Sequence, residues 1–138
     1  MDVSFEVLAY RPWRVLVPMS LGSARPRTFL NPEWAATRAG NLIEEYLEER
    51  LVNGAPYLTG FIKCELYVSP GTRGVLTVVF SNTTVLDSSL AFREPGGLMG
   101  ELNAIAVKLM KGLQEREALV ECHHMLTRLT LNRSVATR

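Results

Sequence analysis

The sequence predicts a single α+β domain, in which a mainly antiparallel sheet of four or five strands packs against two helices. Two observations lead to this prediction. Apolar residues recur at helical spacing over about 32–53 and 97–115, and they alternate with polar residues in several segments between and around these two. The length of 138 residues fits one domain over 1–138, with a loop at 20–30 and a mobile tail from about 132.

The first strands are predicted by alternation near the start of the chain. Val3, Phe5 and Val7 alternate with polar neighbours, which predicts a half-buried strand over 3–9. The stretch RVLV, before Pro18, predicts a second short strand. Small residues, glycine, proline and arginine then predict the loop at 20–30.

The first helix has clear start and stop signals. Asn31 is a good capping residue, and Pro32 suits the first turn, where a missing N–H costs nothing. Gly54 is a natural stop in the left-handed conformation. The predicted buried stripe consists of Ala35, Ala39, Leu42, Ile43, Tyr46, Leu47 and Leu51. The glutamates at 44, 45, 48 and 49 lie on the opposite, solvated face.

A hairpin or meander is predicted over 57–86. Ile62, Cys64 and Leu66 fall on one face of the first arm, while Lys63 and Glu65 fall on the other. The second arm, over 75–80, is apolar on both faces, which predicts a strand that is covered on both sides. The segment 83–92 is a candidate third arm.

A second helix is predicted after the EPGG stretch at 94–97. Its buried stripe consists of Leu98, Leu102, Ile105, Ala106, Leu109 and Leu113. The helical phase slips after Arg116, which predicts a break or kink near 112–117. Residues 117–131 then either continue as helix, the interpretation we favour, or form a final strand.

The ECHH stretch at 121–124 is the main candidate for chemistry, since it holds both histidines of the chain. On a helix Cys122, His123 and His124 would diverge, because successive residues point ~100° apart. On a strand Cys122 and His124 would share a side, but a zinc site needs further ligands and Cys64 is the only other thiol. We therefore predict no metal and no cofactor.

The linear motifs of common enzymes are absent. The chain contains no GxSxG, GxGxxG, GxxxxGK, HExxH or CxxC pattern. We therefore predict no catalytic residues and a protein that is not an enzyme. A small enzyme using Glu121, Cys122 and His124 remains as an alternative.

The predicted order of elements over 32–115, a helix followed by a three-stranded meander and a second helix, resembles that of double-stranded-RNA-binding domains. That resemblance implies a lysine-rich start to the second helix that grips phosphates, but this chain has PGGLMGEL there. The layout and size are also similar to those of small viral matrix-type proteins. Neither resemblance rests on a motif.

Arginines and aromatics provide the predicted binding residues, because these residue types are enriched in interfaces. The candidates are Arg11, Trp13, Arg14, Arg25, Arg27, Arg128 and Arg133. A net charge of +1 argues against non-specific binding to nucleic acid. The absence of a signal peptide or apolar span predicts an intracellular, soluble protein, and leaves peripheral membrane contact open.

These observations together predict a non-enzymatic interaction or assembly protein, of the kind found among small viral or phage structural and accessory proteins. We expect it to form a homo-oligomer or to bind a protein partner. The alternative is a protein that binds nucleic acid or an acidic surface through its N-terminal and C-terminal arginines.

Overall fold

The structure, a computed structural model, describes residues 2–7, 12–19, 31–67, 75–82, 92 and 95–132. Within them five strands and two helices follow one another. They are β1 (Trp13–Pro18), α1 (Pro32–Asn53), β2 (Phe61–Tyr67), β3 (Val75–Ser81), α2 (Pro95–Leu113), β4 (Glu117–Cys122) and β5 (Met125–Thr130). The predicted α+β class, with an antiparallel sheet and two helices, is confirmed.

The strands form one sheet in the order β2-β3-β1-β4-β5, and every neighbouring pair is antiparallel. β1 therefore lies in the centre, where Val15 pairs with Phe80 of β3 and with Val120 of β4. The order β-α-β-β-α-β from β1 to β4 is that of ferredoxin-like domains. β5 extends this sheet at one edge.

Both helices pack on the same face of the sheet. Trp13 and Phe80 are fully buried in this core, with their ring centroids 5.2 Å apart. The buried helical residues include every member of the predicted α2 stripe and the first five of the predicted α1 stripe. Leu51, the last residue of the predicted α1 stripe, is exposed.

The ends of α1 are formed by the residues that the sequence indicated. The Asn31 side chain accepts hydrogen bonds from the backbone N–H groups of Glu33 at 2.8 Å and of Trp34 at 3.4 Å. Gly54 ends the helix with φ of 63°, a conformation that favours glycine. The two caps thus satisfy backbone groups that a helix end leaves without partners.

A polar cluster joins the two helices to the segment 55–60. The Tyr46 hydroxyl donates to the carboxylate of Glu101 and accepts from the backbone N–H of Leu58 at 2.9 Å. Nη2 and Nε of Arg50 each lie 3.0 Å from an oxygen of the same carboxylate, and the guanidinium lies over the Tyr46 ring. Burial and the hydrogen bond to Glu101 raise the pKa of Tyr46, so the hydroxyl keeps its proton.

Residues 117–131 form a hairpin, so the helical interpretation that we favoured for this segment is wrong. α2 ends at Leu113, Gln114 takes a φ of 58°, and the chain turns directly into β4. The hairpin is favoured because Val120 and Cys122 fall on one face, where the core buries both. Their alternation with Glu121 is too short to be recognised in the sequence beside a long helix.

The predicted strand over 3–9 is also wrong where the structure describes it. Residues 2–7 form neither helix nor strand, and Phe5 and Val7 are 91% and 98% exposed. This segment cannot pair with β1, the strand that follows it, because both edges of β1 are occupied by β3 and β4. The loop at 20–30 and the candidate third arm, apart from Phe92, lie outside the described residues.

Neither of the two helices in the described residues combines the length and the apolar character needed to cross a bilayer.

Candidate functional site

The face of the sheet opposite the two helices carries charged side chains from four of the five strands. We call it the helix-free face. Strand alternation and register place on it Arg14, Leu16, Lys63, Glu65, Val79, Leu119, Glu121 and Arg128. Their immediate neighbours in sequence, such as Val15 and Val120, point to the helices and are fully buried.

An ion pair between β1 and β4 lies near the middle of this face. Arg14 and Glu121 are opposite each other in the register, and Nη2 of Arg14 is 2.7 Å from Oε2 of Glu121. This hydrogen bond raises the pKa of Arg14, against the opposing effect of burial, and the charges of Glu121 and Glu65 add to it. Both side chains remain about two-fifths exposed, so a ligand can reach them.

A second ion pair lies on β2. Nζ of Lys63 is 2.7 Å from Oε1 of Glu65, two residues along the same strand and on the same face. The hydrogen bond from Lys63 and its charge lower the pKa of Glu65, and the charge of Arg14 lowers it further. Glu65 therefore stays ionised at neutral pH. The mutual influence of Arg14 and Glu65 shows that the two ion pairs act on each other across the sheet.

Apolar side chains form the adjacent row of the helix-free face. Leu16 is opposite both Val79 and Leu119, and Val79 is opposite Lys63. Val79 is fully buried, and Leu16 and Leu119 are partly buried. An apolar row beside a few fixed charges is typical of small-molecule sites, where the charges orient the ligand.

The residues of the ECHH stretch do not converge. Glu121 lies on the helix-free face, whereas Cys122 points into the core with 1% of its surface exposed. His123 and His124 form the turn between β4 and β5, with positive φ angles, and both are exposed. The alternative of an enzyme that uses Glu121, Cys122 and His124 together has no geometric support in this arrangement.

Neither thiol is suited to nucleophilic attack. Burial raises the pKa of Cys122 and of Cys64, so both keep their protons at neutral pH. Cys64 donates to the carbonyl of Pro32 at 3.5 Å on the helix side. In the part of the chain that the structure describes, no group of three His, Cys, Asp or Glu side chains could hold a metal ion.

The predicted binding residues are divided by the fold. Arg14 and Arg128 lie on the helix-free face, on β1 and β5. Trp13 is fully buried beside Phe80, so its side chain is not available to a surface ligand. Arg11, Arg25, Arg27 and Arg133 lie outside the described residues.

Lys63 and Glu65 were not among our predicted site residues. Their alternation with Ile62 and Cys64 placed them correctly on one face of a strand. The pairing of β1 with β4, which brings Arg14 and Glu121 together, could not be predicted, since these two residues are 107 positions apart.

Comparison with known proteins gives a likeness in fold only. No protein-family model and no curated protein matches the chain. A phage SAM lyase in its apo state is similar over 94% of this chain and 98% of its own, with a TM-score of 0.51 and 13% identity. A phage SAM lyase in complex with S-methyl-5'-thioadenosine covers 94% and 97%, with a TM-score of 0.49 and 12% identity.

The likeness to the apo enzyme corrects our functional prediction. A fold shared with an enzyme over nearly the whole of both chains contradicts a non-enzymatic assembly protein, and with it the structural and RNA-binding descriptions. Our prediction that the chain is not an enzyme is wrong for the same reason. It rested on missing linear motifs, but charged side chains on separate strands can form a site that no linear motif reveals.

Proposed function

We propose that the chain is an enzyme that cleaves a carbon–sulfur bond of S-adenosylmethionine, or of a closely related sulfonium compound. The observation that carries this proposal is the fold likeness to the phage SAM lyase in its apo state. At 13% identity the likeness concerns the fold, so the assignment of substrate rests on the chemistry of the helix-free face.

The charges of the helix-free face are complementary to the amino-acid part of this substrate. The guanidinium of Arg14 suits the carboxylate, since arginine binds carboxylates through paired N–H groups. Glu121, opposite Arg14 on β4, and Glu65, on β2, are alternative acceptors for the ammonium group. Each of these side chains is already oriented by an ion pair of 2.7 Å, and preorganised charges of this kind favour a fixed substrate geometry.

The accessible parts of Leu16 and Leu119, which are only partly buried, suit the sulfonium and the adenosine. When the bond between sulfur and the neighbouring carbon of the amino-acid part breaks, its electron pair stays on sulfur. The positive charge on sulfur then disappears and a neutral thioether leaves. The carbon that has lost this electron pair must gain a new bond. Either the neighbouring carbon loses a proton and a double bond forms, or the fragment's own carboxylate oxygen attacks the carbon and a lactone forms. An apolar surrounding favours this loss of charge.

The test is incubation of the purified chain with S-adenosylmethionine, with the products identified by mass spectrometry. The expected result is release of S-methyl-5'-thioadenosine together with a four-carbon fragment. In ¹⁸O-labelled water the fragment should carry no label when first formed, because a lyase adds no water. Absence of cleavage with both S-adenosylmethionine and its near analogues would show that the proposed function is wrong.

Variants locate the site. Glu65→Gln and Glu121→Gln should each lower kcat/KM by about tenfold or more, because each removes a negative charge that is complementary to the cationic substrate. Arg14→Ala should do the same through the carboxylate. The matched control is Glu48→Gln, which removes an exposed charge from α1 on the other side of the molecule. If none of the three site variants affects cleavage, the proposed activity stands but its site is not the helix-free face.

A further inference from the structure

The segment of residues 2–7 has the pattern of a strand but pairs with no strand among the described residues. Val3, Phe5 and Val7 alternate with Asp2, Ser4 and Glu6. The three apolar side chains are 70%, 91% and 98% exposed. The exposure of these three apolar side chains is unfavourable, because each leaves apolar area in contact with water that burial would remove.

β5 offers an edge that fits such a strand. It pairs with β4 on one side, and its other edge has no partner among the described residues. Met125 and Leu126, at the start of β5, are 63% and 62% exposed. A long exposed edge with apolar side chains is a site where another extended segment can add.

We propose that residues 2–7 of one copy of the chain add as a sixth strand to the outer edge of β5 in a second copy. With Val3, Phe5 and Val7 on the helix side, they would extend the apolar surface of Met125 and Leu129. Asp2, Ser4 and Glu6 would then lie on the helix-free face, beside Arg128. The backbone groups of the edge and of the segment would pair with each other.

Charge distinguishes β5 from β2, which is the other edge of the sheet. Arg128 forms no ion pair with any described residue, so it is available to Asp2 or Glu6. On β2 the cation on the same face is Lys63, which already pairs with Glu65 at 2.7 Å. The carboxylate of Glu65 would repel an acidic strand placed there.

A second copy is the occupant because the described part of the chain's own sheet leaves the segment unpaired. β1, which follows the segment, has both edges occupied by β3 and β4, and residues 2–7 are all exposed. Reciprocal exchange of one segment between identical chains is an accessible route to an oligomer. This inference is independent of the proposed reaction and does not require it.

The experiment is size-exclusion chromatography with light scattering on the full chain over a range of concentrations. The wild type should form an oligomer, and Phe5→Glu should raise its apparent dissociation constant by about tenfold or more. Because Phe5 is 91% exposed, this change should leave the fold of the monomer intact, which circular dichroism can verify. The matched control is Val52→Glu, an exposed apolar position on α1 that should not alter association.

Charge reversal tests the pairing itself. Glu6→Lys and Arg128→Glu should each weaken association, and an equimolar mixture of the two variants should restore it. When the two variants associate with each other, position 6 of each copy meets a residue of opposite charge at position 128 of the other copy. A wild type that is monomeric at all concentrations, or association that Phe5→Glu leaves unchanged, would overturn the proposal. Pairing of the segment with β5 of its own chain would also overturn the proposal. In that case the equimolar mixture would associate no more strongly than either variant alone.

Discussion

At the scale of single residues, the turn between β4 and β5 is the most unusual feature of the backbone. Cys122 and Met125 pair with each other, so His123 and His124 alone form the turn, with φ of 53° and 62°. A two-residue turn with both φ angles positive matches the twist of a hairpin, and it favours Asn-Gly. The left-handed conformation costs roughly 1–2 kcal/mol for a residue that carries a Cβ, although histidine tolerates it better than most.

His124→Gly should therefore stabilise the protein by about 0.5–1 kcal/mol, because glycine adopts this conformation without a steric cost. Urea unfolding measures the change. The control is Thr130→Gly, at an extended position of β5, where glycine should cost about 0.5–1 kcal/mol. A loss of stability in His124→Gly would mean that the imidazole makes a contribution larger than the strain of its backbone.

At the scale of elements, the contact between α1 and α2 depends on a glycine. A Cβ at Gly112 would overlap the side chain of Leu42, which is 4% exposed and held in the core. Gly112 therefore allows the end of α2 to approach α1 closely. At Gly100, on the exposed side of the same helix, a Cβ would meet nothing within 4 Å.

The two glycines should respond to the same substitution with opposite signs. Gly112→Ala should destabilise the protein by about 1–2 kcal/mol, because overpacking outweighs the gain in helix propensity. Gly100→Ala should stabilise it by about 0.5–1 kcal/mol through propensity alone. Thermal or urea unfolding of both variants checks this. Equal stabilisation by both would show that Leu42 moves aside without cost.

The helices and the β2–β3 hairpin could be predicted because each has its own period and its own end signals. Asn31, Gly54 and the α2 stripe needed no knowledge of distant residues. The β4–β5 hairpin could not be predicted, since six-residue strands after a long helix leave the period ambiguous. The ion pair of Lys63 with Glu65 is local to one strand, but that of Arg14 with Glu121 depends on a strand pairing between distant segments, which the sequence alone does not reveal.

At the scale of the whole molecule, the cluster of Tyr46, Arg50 and Glu101 holds three parts of the chain together. Tyr46→Phe should cost about 1–3 kcal/mol, because it leaves the N–H of Leu58 and the carboxylate of Glu101 each without one partner. Tyr57→Phe, at a residue that is 37% exposed, is the matched control and should have little effect. Urea unfolding at neutral pH provides the measurement.

The same hydroxyl should determine part of the response to alkali. The folded-state pKa of Tyr46 is raised above its ordinary value of 10.0, so its contribution to stability is complete below pH 10. It is lost as the pH rises from there through the folded-state pKa. The difference in stability between wild type and Tyr46→Phe should therefore shrink above pH 10. A difference that stays constant or grows with pH would contradict the role assigned to the protonated phenol.

The central position of β1 has a consequence for biosynthesis. β1 is synthesised before the other four strands of the sheet, and one of its two neighbours, β4, is translated about a hundred codons later, as the 107-residue separation of Arg14 and Glu121 shows. The nascent chain must therefore carry an apolar strand without its full complement of partners until β4 has been synthesised. Such a strand is a natural target for chaperones, and slow codons before β4 should lengthen this exposure and increase aggregation during expression.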